Sequence, residues 1–218
     1  MSDLSEIEQW ELAKQKMREL WIYVVGGVAL GLAGLGAWNW WQDRRETQAE
    51  TASARYEELL DAFTRNDQTR GLTLLEELKS DYAWTPYPAM GALVAARVHV
   101  DANELDKAAA SLRFVMDNSH DEEVKMIARL RLSRVLSAQG KHDDGLALLG
   151  VPDAGGFAPR VADTRGDILL AKGDRDGALR EYLAARTASA DDGTLDLDLL
   201  DLKIRDLGGT PPAAPGES

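Results

Sequence analysis

His99, His120 and His142 are the only imidazoles in this 218-residue chain, which contains no cysteine. A helical metal pair needs two such rings three or four residues apart, on one face. Here the neighbours are 21 and 22 residues apart. The strings His120-Asp121-Glu122-Glu123 and His142-Asp143-Asp144 are rich in ligand atoms. Each, however, stands at a predicted helix start, where the helix dipole favours acidic side chains. Asp191, Asp192, Asp196, Asp198 and Asp201 lack the alternating order and glycine of a calcium loop. There is no GxSxG nucleophile elbow, no GxxxxGK[ST] phosphate loop, and no GxGxxG motif after a strand. Without cysteine there is no thiolate nucleophile, disulfide or cysteine zinc site. The residue types therefore predict no enzyme, no cofactor and no metal.

Charge narrows the partners. The formal net charge is -12, with three basic and five acidic side chains in residues 1–42, leaving 22 basic and 32 acidic beyond. An acidic domain of this kind is poorly suited to nucleic acid or to an anionic membrane surface, and suits proteins with basic or apolar surfaces.

The stretch from Trp21 to Trp41, WIYVVGGVALGLAGLGAWNWW, runs 21 residues without a formal charge. A helix of that length spans roughly 30 Å, the thickness of a bilayer's hydrocarbon core. Asn39 alone in it is strongly polar, whereas a helix in a soluble core normally keeps a polar stripe. Trp21 and Tyr23 at one end and Trp38, Trp40 and Trp41 at the other are the amphipathic rings that favour headgroup level. The apolar run is too long for a signal-peptide core and follows twenty mostly polar residues, so a retained transmembrane helix is expected. Gly27, Gly31 and Gly34 fall at i, i+4 and i+7, a smooth face on which another helix could approach. Lys14, Lys16 and Arg18 before the span balance Arg44, Arg45 and Arg55 after it, so the positive-inside rule gives no orientation.

Around this span the chain divides into a short charged tail (1–20), the membrane helix (21–41), a helical domain (42–207) and a tail (208–218). The last is rich in proline and glycine and is predicted to be disordered. In the domain, apolar periodicity predicts helices ending near Phe63 and Leu78. The next starts with Thr85 as cap and Pro86 in its first turn, and runs to about Val100. Asn103 opens a partner helix to about Asp117. Ser119 and Glu122 form a possible capping box for a helix to Ala138. Shorter helices follow over 143–149, 159–171, 174–187 and 195–207. Nothing alternates with period two long enough to be a strand.

Turn residues recur at Asn103, Gly140 and Gly173, spaced by 37 and 33 residues, near the tetratricopeptide period of about 34. Seven residues before each turn stands Ala96, Ser133 or Gly166; five after it stands Ala108, Gly145 or Ala178; nine after it stands Leu112, Leu149 or Tyr182. Small residues let the two helices of a hairpin cross closely, and the bulky one packs on the next pair. The fold class is thus all-α, a single N-terminal transmembrane helix followed by a TPR-like α-solenoid with degenerate repeats. Stacking places the first helices on a concave wall containing Met90, Leu93, Arg97, Ile127, Leu130, Arg134, Arg160, Asp163 and Asp167. Arg97, Arg134 and Asp167 are the candidate polar anchors for a peptide or partner helix. Alternatively, the terminal helices fill the groove, or these charges are merely solvated.

The strings NELDKAAASLR, DEEVKMIARLRLSRV and VADTRGDILLAKGDRDGALREY resemble the YfgM-type ancillary SecYEG translocon subunits of Gram-negative bacteria. The resemblance covers nearly the whole chain through Leu207. It implies an inner-membrane protein with a periplasmic C-terminal domain, associated with the SecYEG translocon and with the membrane-anchored chaperone PpiD. It also implies a non-enzymatic adaptor that assists unfolded exported proteins. A TPR scaffold for another envelope complex is the alternative reading.

Overall fold

A computed structural model of the protein describes residues 6–151, 153–189 and 195–212, together with only part of the side chains in residues 6–43. Helix α1, Glu6–Thr64, contributes to two compact units, Met1–Thr51 and Ala52–Ser218, each described by itself below.

In the first unit the described apolar side chains of α1 face outward. Trp21, Tyr23, Val25, Leu32, Leu35, Trp38, Trp40 and Trp41 are all exposed. The guanidinium of Arg45 lies 4.4 Å from the Trp41 ring centre and that of Arg44 lies 5.3 Å from Trp40, so cations cover the aromatic end of the stretch. Among the described residues no helix is long and apolar enough to cross a membrane. The side chains of Ile22, Val24, Val28, Ala29 and Leu30, central to the span expected over 21–41, lie outside them.

The second unit is built of helices alone among the described residues. Ala52–Thr64 of α1 is followed by α2 (Gln68–Asp81), α3 (Tyr87–Asp101), α4 (Leu105–Asn118), α5 (Glu122–Ala138) and α6 (His142–Leu148). A single 3-10 turn (Gly155–Phe157) then leads into α7 (Ala158–Lys172), α8 (Arg175–Ala188) and α9 (Leu197–Asp206). Successive helices pack on one another, most extensively α7 on α8, α3 on α4 and α4 on α5.

The core has three apolar clusters in chain order. The first joins Ala52 and Leu59 of α1 to Leu74, Leu75, Leu78 and the inner faces of α3, α4 and α5. The second joins Leu130 and Leu149 to Val161 and Ile168. The third joins Ala178, Tyr182 and Ala185 to Leu200 and Ile204 of α9. Each buried leucine or isoleucine contributes about 1.5–3 kcal/mol, and the division into neighbouring clusters is that of a stacked array.

All nine residues of the repeat pattern are buried. The small ones are needed where they stand. A Cβ on Gly145 would lie 2.8 Å from the Ser133 carbonyl oxygen, and one on Gly166 would lie 2.5 Å from the Tyr182 ring.

Three helix starts differ from the sequence expectation. Thr85 does not cap α3: its hydroxyl donates to the Tyr82 carbonyl at 2.7 Å, closing the preceding turn. Pro86 is the N-cap itself, with Pro88 in the first turn, where missing N–H groups cost nothing. Asn103 does not open α4. It adopts the left-handed conformation just past α3 with φ at 59°, as Asn66 does past α1 at 62°, and Glu104 stands at the N-cap of α4 without a side-chain cap bond. At α5 the cap is Asp121, which accepts from the N–H groups of Glu123 at 2.8 Å and Val124 at 3.2 Å, while Ser119 ends α4. The tail expected over 208–218 lies outside the described residues from 213 onward.

Candidate binding groove

The first helices of the three repeats, α3, α5 and α7, carry the residues expected on the wall, and the structure sorts them into two environments. Arg97 of α3 and Arg134 of α5 line one cleft of about 340 Å³ together with Arg131, Ala96, Val100, Leu112 and Val135. Ala96, Leu112 and Val135 are buried and form an apolar floor. The three guanidinium groups rim it. Arg97 donates through Nε to both oxygens of Asp101, four residues on, at 2.9 Å. Arg134 donates through Nη2 to Thr164 Oγ1 at 2.9 Å and stands 3.7 Å from Asp163. Arg131 has no such partner among the described residues.

Asp167 is not in this cleft. Its Oδ1 accepts from the Tyr182 hydroxyl at 2.8 Å and from Lys203 Nζ of α9 at 2.6 Å, and the same nitrogen donates to Asp163 at 2.7 Å. Burial and the Asp167 hydrogen bond push the Tyr182 hydroxyl far above its ordinary value. Lys203 is pulled by burial toward the neutral form, but hydrogen bonds to Asp163 and Asp167 outweigh this and raise its pKa. A second pair, Arg186 Nε with Asp201 at 2.8 Å, ties α8 to α9. At the third repeat, then, a lysine of the terminal helix ties up two of the carboxylates expected on the wall. Leu130, also expected on the wall, is buried in the second cluster.

Arg131 is absent from the expected anchors although its position was legible. It precedes Arg134 by three residues on α5 and so shares its face.

A larger cavity of about 880 Å³ lies at the other edge of α3, lined by Trp84, Pro86, Pro88, Met90, Phe114, His120 and Val124 among others. Lys79 stacks on Phe114 within it, 4.6 Å from the ring centre.

Several residues that could suggest chemistry have structural partners. His99 is buried with Nδ1 2.8 Å from Glu104, whose carboxyl is held below its usual range by Lys107 and His99. His142 Nδ1 is 2.9 Å from Ser137 Oγ. Asp143 pairs with Lys172, which lowers its pKa. Asp196 caps α9 by accepting from Leu199 N–H at 3.1 Å, whereas Asp191 and Asp192 lie outside the described residues. Among the described residues no three His, Asp or Glu side chains converge to hold a metal ion. Gly27, Gly31 and Gly34 are open, since a Cβ on any of them would meet nothing within 4 Å.

The architecture agrees with sequence comparison. The model of a tetratricopeptide repeat-like domain matches residues 14–209. A protein of Escherichia coli (strain K12) named ancillary SecYEG translocon subunit is 33% identical over 174 residues, 80% of this chain and 84% of its own. The chain belongs to the ancillary SecYEG translocon subunit family. A Neisseria gonorrhoeae family member is 30% identical over 190 residues, 86% of this chain and 88% of its own. One from Haemophilus influenzae is 27% identical over 184 residues, 84% and 88% of the two chains. No solved structure matches. For this family member, the repeat-like domain includes both the arginine cleft and the third pair that Lys203 ties to α9.

Proposed function

We propose that this chain is a single-pass inner-membrane adaptor of the SecYEG translocon, without enzymatic activity. Its domain faces the periplasm, contacts membrane-anchored chaperones such as PpiD, and assists the folding or trafficking of unfolded exported proteins. The observation that carries the reading is the near full-length similarity to proteins named as ancillary translocon subunits. The uncharged stretch over 21–41 supports the anchor, because a 21-residue helix matches the bilayer core. The open Gly27, Gly31 and Gly34 positions support lateral docking of that helix on translocon helices. The arginine-rimmed cleft, with Arg97 and Arg134 as anchors, supports peptide contact. Asp167, the third expected anchor, keeps partial exposure while it pairs with Lys203, so it offers a carboxylate outside this cleft.

Replacing Gly27 and Gly31 by leucine is expected to reduce recovery of SecYEG with the protein from gently solubilised membranes; unchanged recovery defeats the docking. Charge reversal at Arg97 and Arg134 is expected to lower crosslinking to exported proteins or chaperones while the helical circular dichroism signal is kept. Persistent crosslinking would move the contact site away from this cleft. Mass spectrometry of the copurified proteins distinguishes a translocon adaptor from a scaffold of another envelope complex.

A further inference from the structure

The cleft between α3 and α5 has a composition at odds with the rest of its domain. Residues beyond 42 carry 22 basic and 32 acidic side chains, yet three arginines surround this one apolar floor. Two of them stand three residues apart on α5, where like charges repel unless an anion relieves them. Two of the three are partly committed within the protein. Arg97 holds Asp101 through Nε, and Arg134 bridges to Thr164 and lies near Asp163. Those bonds orient both guanidinium groups at the rim. Arg131, exposed and without a hydrogen-bond or ion-pair partner among the described residues, is left to meet an external anion.

The floor selects a second feature. Ala96, Val100, Leu112 and Val135 offer only hydrocarbon to an occupant, and Val100 is still 39% exposed. A cleft of about 340 Å³ is at the small end of ligand sites, the size for one or two side chains rather than a folded surface. An anion alone would leave the floor wet, and an apolar side chain alone would leave the arginines unmatched. Arginine's planar fork is the side chain suited to bidentate carboxylate recognition.

We infer that this cleft binds an extended peptide segment in which an aliphatic side chain is flanked by carboxylates, with Arg131 as the principal anion contact. The inference deepens the reading of this wall as the partner surface and rests on it. The aliphatic group enters against Val100 and Leu112, and a neighbouring Asp or Glu carboxylate accepts from Arg131. Arg97 and Arg134 supply a positive field on either side.

The test uses the full chain in nanodiscs of zwitterionic lipid, with empty nanodiscs as blank, and fluorescence anisotropy of three labelled hexapeptides: EELLEE, EESSEE and KKLLKK. Saturable binding is expected for EELLEE, at least tenfold tighter than for either other peptide, and weakening as salt is raised. Arg131→Glu and, separately, Val100→Glu are each expected to weaken EELLEE at least tenfold. Arg113→Glu, on an exposed position of α4, should leave it unchanged. Both cleft positions are exposed, and circular dichroism verifies that each variant is folded. Equal binding of EESSEE would remove the apolar requirement, equal binding of KKLLKK the charge requirement, and an indifferent Arg131→Glu the site; any one overturns the inference. If EELLEE fails while charge reversal at Arg97 and Arg134 still abolishes crosslinks to exported proteins, only the ligand chemistry falls. If both fail, the cleft itself is not the partner surface.

Discussion

A lysine nitrogen 2.7 Å from Asp163 and 2.6 Å from Asp167 bridges two carboxylates on one face of α7, and the Tyr182 hydroxyl adds a bond to the second. Removing the cation leaves a mostly buried Asp163 without its nearest counter-charge. Lys203→Met is therefore expected to lower unfolding free energy by about 2 kcal/mol, less than a fully buried pair would lose because Lys203 keeps some solvent access. Thermal unfolding measures this, at about 2–4 °C per kcal/mol for a domain of this size. The pH dependence has a definite sign. Lys203 and Tyr182 both have raised folded-state values, so their contribution is complete below the ordinary tyrosine and lysine values near 10 and is lost as pH rises past them. Stability should decline above about pH 10, and less steeply in Lys203→Met. Gly166→Ala drives a methyl group into the fully buried Tyr182 ring, 2.5 Å from an added Cβ, and is expected to cost about 1–3 kcal/mol.

Helix termini are set by single bonds, and at α5 the cap is Asp121 where the sequence pattern pointed to Ser119 with Glu122. Asp121→Ala removes the acceptor for two N–H groups of α5 and should cost about 1 kcal/mol in chemical denaturation, against little for Glu122→Ala. Helix number and order were legible because α3, α5 and α7 stop at Asn103, Gly140 and Gly173, all with positive φ. The small and bulky repeat positions were legible because helix crossing distance restricts residue size. Caps were less so. Thr85 and Ser119 have the right side chains, but a hydroxyl can equally turn back to a preceding carbonyl or close a neighbouring turn, as both do here. The fate of Asp167 was not legible at all, since its partner Lys203 lies 36 residues on, in a helix outside the repeat register.

Across the whole chain the two units invite different measurements. The full-length protein is expected to stay with membranes in alkaline carbonate, as the uncharged stretch over 21–41 requires; release into the supernatant would contradict the anchor. Within the repeat unit the third cluster has only five buried residues, of which α9 supplies just Leu200 and Ile204. Amide hydrogen exchange should accordingly open α9 before α3, α4 and α5, whose cluster is several times larger. The position of α9 also limits what the domain can hold. It commits Asp163 and Asp167 to Lys203, while the arginine cleft rests on α3 and α5, and helices packed 8–10 Å apart are bridged by about three residues of extended chain. So brief a footprint recurs many times along almost any unfolded polypeptide. Residence at any one stretch would be short, and a passing chain could be caught, let go and caught again further along, which suits hand-off more than storage.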